Sequence, residues 1–251
     1  MRWARMQRPR ATRAGLNAAV GVAALAVSLA VSLALAVTPL RAQHDATATL
    51  NHAVETYAHV TTARGSFEQS LTNPLTGTTA VARGDFIQQR PSHLAIHFTD
   101  PSGDRIVADG KWVWVYVPSA TPGQVLRMPV SDESSGSGPM GVDFITQFLA
   151  KPMMDRYEVT DAGADTVGAA RTHAIQLTPR GAAQFSRAKL WVDDADGVVR
   201  QFEVADAGGT IRRVRILKVA FNVPVDHAAF TFTPPPGVKV VDQSAMLSGK
   251  S

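Results

Sequence analysis

The chain has 251 residues and a mass of 26.7 kDa, is 45% hydrophobic and 18% charged, and contains no cysteine. Such a length supports one large domain or two small ones with a real core, and the composition excludes disorder. The missing cysteines exclude a disulfide scaffold, cysteine–zinc and iron–sulfur sites, a thiol nucleophile and a lipidated N-terminal cysteine. The formal charge of +4 is unevenly placed: residues 1–42 hold six arginines and no acid, leaving 19 Lys+Arg against 21 Asp+Glu elsewhere, a formal net of −2. The basic pI thus belongs to the leader, and a nucleic-acid partner loses its electrostatic support.

Residues 1–13 form a basic start, Ala14 to Val37 carry no charge, Pro39 breaks any helix, and Ala42 gives a small-residue exit. This pattern predicts a cleaved secretory signal peptide over residues 1–42. Cleavage falls before Gln43 or, at the small-x-small site Ala34-Leu35-Ala36, near Val37. Residues 43–251 then make one exported domain. The uncharged stretch is also long enough to span a membrane, so an uncleaved anchor is the alternative.

In chain order, Asp45 to Val60 reads as an amphipathic helix, with Leu50, Ala53, Val54, Tyr57 and Val60 on one stripe. The period then switches to two. Strands are predicted at Gly65–Thr72, Thr78–Gln89, Ser92–Thr99, Asp104–Ala108, Lys111–Val117 and Gln124–Met128. In Ser92–Thr99, Leu94, Ile96 and Phe98 share one face and His93, Ala95 and His97 the other. Asp109-Gly110 is a hairpin turn signal. Pro129 to Pro139 is a Ser/Gly-rich loop or hinge, and Met140–Leu149 reads as a second helix opened by Pro139. Strands resume at Arg156–Thr160, Thr172–Thr178, Ser186–Val192, Val198–Ala205 and Thr210–Phe221, about ten or eleven in all.

Short turns between consecutive strands predict an antiparallel meander rather than a parallel α/β fold. So long a sheet must curl, and the two amphipathic helices are available to cover its inner face. The expected fold is therefore mainly β with helices: a curled antiparallel sheet forming an incomplete β-barrel under a helical lid. Lys111–Val117 is apolar on both faces, as a buried central strand or a cavity wall would be. Met140, Val142, Phe144, Ile145, Phe148 and Leu149 clothe more than one stripe of the second helix, which fits either a core helix or one that faces a greasy ligand.

No motif supports catalysis. The histidines lack a metal-ligand spacing on a helix, and His93 and His97 read as edge or surface residues. Asp193-Asp194-Ala195-Asp196-Gly197 resembles a calcium loop, but strands flank it and Val192 holds the first ligand position, so it reads as a hairpin turn. No Gly-x-Ser-x-Gly elbow occurs.

Three segments carry a resemblance. Gly84-Asp85-Phe86-Ile87-Gln88-Gln89-Arg90-Pro91 resembles the second-strand signature of outer-membrane lipoprotein carrier proteins of the LolA type. Asp109-Gly110-Lys111, followed by an aromatic strand ending at Tyr116, is similar too. Phe230-Thr231-Phe232-Thr233-Pro234-Pro235-Pro236-Gly237-Val238 resembles the family's closing stretch. The resemblance covers Asp45 to Gln243. It implies a half-open barrel with a helical lid over a hydrophobic cavity, in a periplasmic chaperone that uses no cofactor or metal. It also implies three partners: acylated lipoproteins as cargo, an inner-membrane ATP-driven release complex as their source, and an outer-membrane lipoprotein acceptor.

Arg90 matches the family's gating arginine and is the expected lid latch; a surface arginine at a strand end is the plainer reading. The expected acyl-chain cavity residues are Phe67, Leu71, Leu94, Ile96, Phe98, Trp114, Phe144, Ile145, Phe148, Leu149, Phe202 and Val204, each also fit for an ordinary core. Leu94 departs from the family, which often has an aromatic there. Competing readings are a periplasmic lipid or glycolipid carrier, an envelope-stress sensor domain of similar fold, and an exported hydrolase. A monomer fits a shuttle.

Overall fold

A computed structural model of the chain describes residues 45–130, 149, 155–181, 183 and 185–244. The helix α1 spans Ala46–Ala58, with the Asp45 side chain accepting a hydrogen bond from the Thr47 backbone N–H at its start (2.9 Å). Such a cap satisfies one of the amide groups that a helix start leaves without an intrahelical partner. The predicted stripe is the one it buries, including Leu50, Ala53, Val54 and Tyr57.

Among the described residues twelve strands follow in one sheet. β1 is Thr62–Thr72, β2 Thr79–Gln89, β3 His93–Asp100, β4 Ser102–Asp109, β5 Trp112–Tyr116 and β6 Gln124–Pro129. β7 is Tyr157–Val167, β8 Ala170–Pro179, β9 Phe185–Asp193, β10 Val199–Asp206, β11 Ile211–Phe221 and β12 Lys239–Asp242. The order is β12-β6-β5-β4-β3-β2-β1-β11-β10-β9-β8-β7, so β7 and β12 are edges and the curled sheet does not close into a barrel. Neighbours are antiparallel except β12, which lies parallel to β6.

Two strand assignments differ from the sequence reading. β7 runs on past Thr160 through a bulge at Asp161–Ala164: Gly163 sits at φ 88° and its N–H donates to Asp161 Oδ1 (3.1 Å). Glycine alone takes that backbone region at no steric cost. β12 was not predicted, since four residues are too few to show a period. The meander reaches it only through the crossing segment 222–238, and a parallel pairing requires such a crossover.

α1 lies on one face of the sheet, against β7, β8 and β9, and this is the inner face. Gly197, at φ 70° in the β9–β10 turn, lets it come close: a Cβ there would fall 2.4 Å from Thr56 Oγ1. Thr56 Oγ1 donates to the Asp196 carbonyl (2.8 Å) and fixes the helix to that turn. The calcium-like segment is thus the predicted hairpin turn, with Arg200 held by Asp193 (2.8 Å) and Asp196 (2.6 Å).

Candidate functional site

The inner face is built by alternation. Phe86, Ile96, Ile106 and Val115 stand opposite one another in register across β2 to β5, and all belong to or pack on one apolar cluster. Ile175, Leu190, Phe202 and Val214 do the same across β8 to β11. A pleated strand sends every second side chain to one face, so two rows of large apolar residues in register make a continuous apolar wall.

Among the expected cavity residues, Phe67, Ile96, Phe98 and Phe202 lie in this cluster and are buried, with Phe67 edge-on to Phe98 at 5.7 Å. Leu94 and Val204 are half-buried against it. Leu71 shares the inward phase of Phe67 and is half-buried. Leu149 is buried in the same cluster. Phe144, Ile145 and Phe148, with the rest of the predicted second helix and the hinge before it, lie outside the described residues.

Trp114 is corrected: it stands on the outer face. The pleat that turns Val113 and Val115 inward turns Trp112, Trp114 and Tyr116 outward. There Trp114 and Tyr116 pack on Phe232 of the C-terminal crossing segment, with ring centres 5.7 and 5.9 Å away. Phe230 of the same segment is buried beside His93 (5.3 Å), and Ala95, Val107 and Val125 are buried on this side too. Strand β5 is apolar on both faces because both are covered: the inner by the core, the outer by residues 227–232.

Asp109 organises that outer corner. Its Oδ1 accepts from the backbone N–H groups of Lys111 (2.9 Å) and Trp112 (2.7 Å), and its Oδ2 from Trp114 Nε1 (2.9 Å). Burial works to raise its pKa, but the hydrogen bonds from Trp112, Trp114 and Lys111 outweigh it and hold the carboxyl below its ordinary value.

Arg90 ends β2. Its backbone N–H donates to the Thr61 carbonyl (2.9 Å), so pairing with the chain before β1 continues to this residue. It falls two residues after the buried, inward Gln88 and is itself half-buried. The helix it is expected to latch lies outside the described residues.

One inner-face residue was not singled out from the sequence. Arg212 alternates with the buried Val214 and Ile216 on β11 and so shares their inward phase, while Arg213 points outward to Glu203 (2.7 Å). It stands between Leu71 and Val204, directly opposite each. Burial pushes its guanidinium below the ordinary arginine value, and the Asp206 carboxylate works against that shift. The period-two phase of Arg212-x-Val214-x-Ile216 was the signal that would have found it.

An open, curled, mainly antiparallel sheet with a helix on its apolar inner face defines an incomplete β-barrel. The chain belongs to the outer membrane lipoprotein carrier protein LolA family, whose model matches residues 58–233. It is 30% identical over 189 residues to an outer-membrane lipoprotein carrier protein of Halorhodospira halophila, covering 74% of this chain and 82% of that protein. It is 29% identical over 193 residues to one of Ralstonia nicotianae, covering 74% and 83%. It is also similar to the crystal structure of an uncharacterized conserved protein from Thermus thermophilus, at 12% identity and a TM-score of 0.49, over 79% of this chain and 99% of that one.

Proposed function

We propose that this protein is a periplasmic chaperone that binds the acyl chains of lipoproteins released from the inner membrane and delivers them to an outer-membrane acceptor. The observation that carries this is the apolar inner face of an unclosed sheet, in a chain of the lipoprotein carrier family. In this reading residues 1–42 direct export and are removed, and residues 43–251 work in the periplasm. No helix among the described residues is long and apolar enough to cross a membrane. The protein transports and performs no covalent step.

Physical chemistry sets the need. At ~0.8 kcal/mol per buried CH₂, a sixteen-carbon chain costs about 12 kcal/mol to expose to water, so an acylated lipoprotein cannot cross an aqueous space unaided. A carrier without its own energy source must take cargo from an ATP-driven release complex and give it up to an acceptor. Two closely balanced conformations meet that requirement. In the proposed cycle Arg90 holds the closed state. A guanidinium offers five donors in a rigid fork, enough to satisfy several carbonyls at a helix end. Entering acyl chains break that latch.

The test is recovery of the tagged protein from cells with whatever it carries. Wild type returns with a small fraction of acylated lipoprotein, and Arg90→Leu returns with more, trapped before hand-over. Absence of acylated polypeptides from both would overturn the reading.

A further inference from the structure

On the outer face, two rows of side chains cross the middle of the sheet. Arg83, Glu68, Arg215 and Gln201 stand opposite one another in the first, and Val81, Ser70, Arg213, Glu203 and Lys189 in the second. Each row sets one carboxylate between two cations. Glu68 is taken by Arg83 and Glu203 by Arg213, both at 2.7 Å. Asp100 approaches Arg83 as well (3.6 Å), on the side away from Arg215. Beside the first row, Lys218 faces Ser66 and Arg64 faces Ala220, which makes these two cations diagonal neighbours. The acid next to them in register is Asp85, on the far side of Ser66. Arg64, Arg215 and Lys218 are all exposed, and among the described residues no carboxylate stands within ion-pair distance of them. Cations thus outnumber acids here, although residues 43–251 carry 19 Lys+Arg against 21 Asp+Glu.

A solvated sheet face is best served by alternating signs, because like charges side by side across strands are destabilising. The crowding of Arg64, Lys218 and Arg215 departs from that rule and suits a surface that meets negative charge. Apolar side chains are exposed in the same place. The bulge opposite Ser66 and Phe67 adds Leu217 between Ile216 and Lys218, and Leu217 and Val81 are each 48% exposed. A protein interface is anchored by aromatic residues in packed pockets. Trp191, on the outer face of β9, is instead buried, with the Lys189 ammonium 4.5 Å over its ring and its Nε1 donating to Asp165 (2.8 Å). Scattered aliphatic side chains among long cations suit a fluid layer of anionic head groups, which asks for charge and for no matching shape. We propose that the outer face of β2, β1, β11 and β10 docks on an anionic lipid bilayer, with Arg64, Arg215 and Lys218 meeting lipid phosphates and Leu217 and Val81 entering the head-group layer. This goes beyond the carrier reading and stands without it, since the two use opposite faces of the sheet.

Flotation of the purified protein with lipid vesicles tests the inference. One set of vesicles holds phosphatidylglycerol and phosphatidylethanolamine in equal parts, the other phosphatidylcholine alone, each at about 0.05 and 0.3 M salt to vary the screening. Wild type is expected to float with the anionic vesicles at low salt, to leave them at high salt, and to ignore the neutral ones. Arg64→Gln combined with Lys218→Gln should weaken binding about thirtyfold and Arg215→Gln about fivefold, since each basic side chain near an anionic surface contributes about fivefold. Lys239→Gln, on the edge strand β12, should leave binding unchanged. Melting curves identify any variant that fails to fold, and the lipid and salt dependence of wild type then still decides the matter. Equal binding to both kinds of vesicle, undiminished binding by the Arg64 and Lys218 double variant, or an equal loss in Lys239→Gln overturns the inference. Binding to soluble polyglutamate without binding to anionic vesicles assigns an acidic protein partner and overturns it too. Monopalmitoylglycerol binding reads the inner face and should be the same in the double variant as in wild type, so failure of docking and failure of acyl carriage are told apart.

Discussion

Phe67 on β1 stands directly opposite Gly84 on β2, and at the next inward pair the order reverses, Gly65 facing Phe86. Each ring occupies the space its glycine leaves. A Cβ on Gly84 would lie 3.1 Å from the Phe67 ring and 2.5 Å from the His97 carbonyl oxygen; one on Gly65 would lie 2.8 Å from the Phe86 ring and 2.1 Å from the Lys218 carbonyl oxygen. Neither glycine has a positive φ, so the requirement is room rather than backbone freedom. The exchange lets two large rings share one layer at the centre of the inner face.

Gly84→Ala and Gly65→Ala should therefore each cost about 1–3 kcal/mol, the range for overpacking a filled core. Urea unfolding reads this as a lowered midpoint at unchanged slope. An unchanged midpoint would show that the rings and the neighbouring backbone at His97 and Lys218 give way freely.

Asp109 gives a prediction with a definite sign in pH. Its carboxyl is held below the ordinary value in the folded protein, so its ionised form stabilises the fold. That contribution is complete above the unfolded pKa of about 3.9 and is lost as pH falls through the lower folded value. Asp109→Ala should cost about 1–3 kcal/mol at neutral pH, because the Trp112 amide and the Trp114 indole lose their acceptor. The gap between variant and wild type should narrow below about pH 4. A gap independent of pH from 3 to 7 would contradict the assignment.

Much of this architecture is legible in the chain. The stripe Leu50, Ala53, Val54, Tyr57 fixes α1 because a 3.6-residue period has one buried face. The alternation of Leu94, Ile96 and Phe98 gives β3 its inward face in the same way. The alternation in β5 could not say which face of a doubly apolar strand turns inward, and Trp114 fell on the other side. That choice depends on residues 227–232 returning over the outer face, more than a hundred positions further on. β12 was hidden for the same reason, since its pairing with β6 is made by a distant crossover. Arg212 shares the period-two phase of Val214 and Ile216, a signal that the outward Arg213 and Arg215 beside it obscure in the sequence.

The inner face should divide into two kinds of residue. Phe202 is wholly buried, and Phe202→Ala should cost about 3–5 kcal/mol in stability. Leu71 is half-buried, and Leu71→Ser should shift the melting temperature little while weakening monopalmitoylglycerol binding severalfold. Melting curves and calorimetric titration of the same preparations check both. Equal binding by Leu71→Ser and wild type would place the acyl chain elsewhere.

Tyr57 pins α1 to the sheet. Burial drives its phenol pKa well above the ordinary value, against the opposing effect of its hydrogen bond to the Val199 backbone and of Arg200. Its ring meets Phe221 edge-on at 5.4 Å. A raised folded pKa means the neutral phenol stabilises the fold; that contribution is complete below the unfolded value of about 10 and is lost as pH climbs above it. Tyr57→Phe should cost about 1 kcal/mol at neutral pH and flatten the alkaline fall in stability. A phenol that titrates near pH 10 in the folded protein would contradict the burial of this contact.

Release from spheroplasts reads out the proposed carriage of acylated lipoproteins. Purified protein is added to spheroplasts making labelled lipoproteins, and the supernatant is fractionated for complexes. Wild type is expected to yield soluble one-to-one complexes with acylated lipoprotein, and Arg90→Leu to yield complexes that form but do not pass cargo to outer-membrane vesicles. A supernatant without lipoprotein, from a folded wild-type protein, would contradict it.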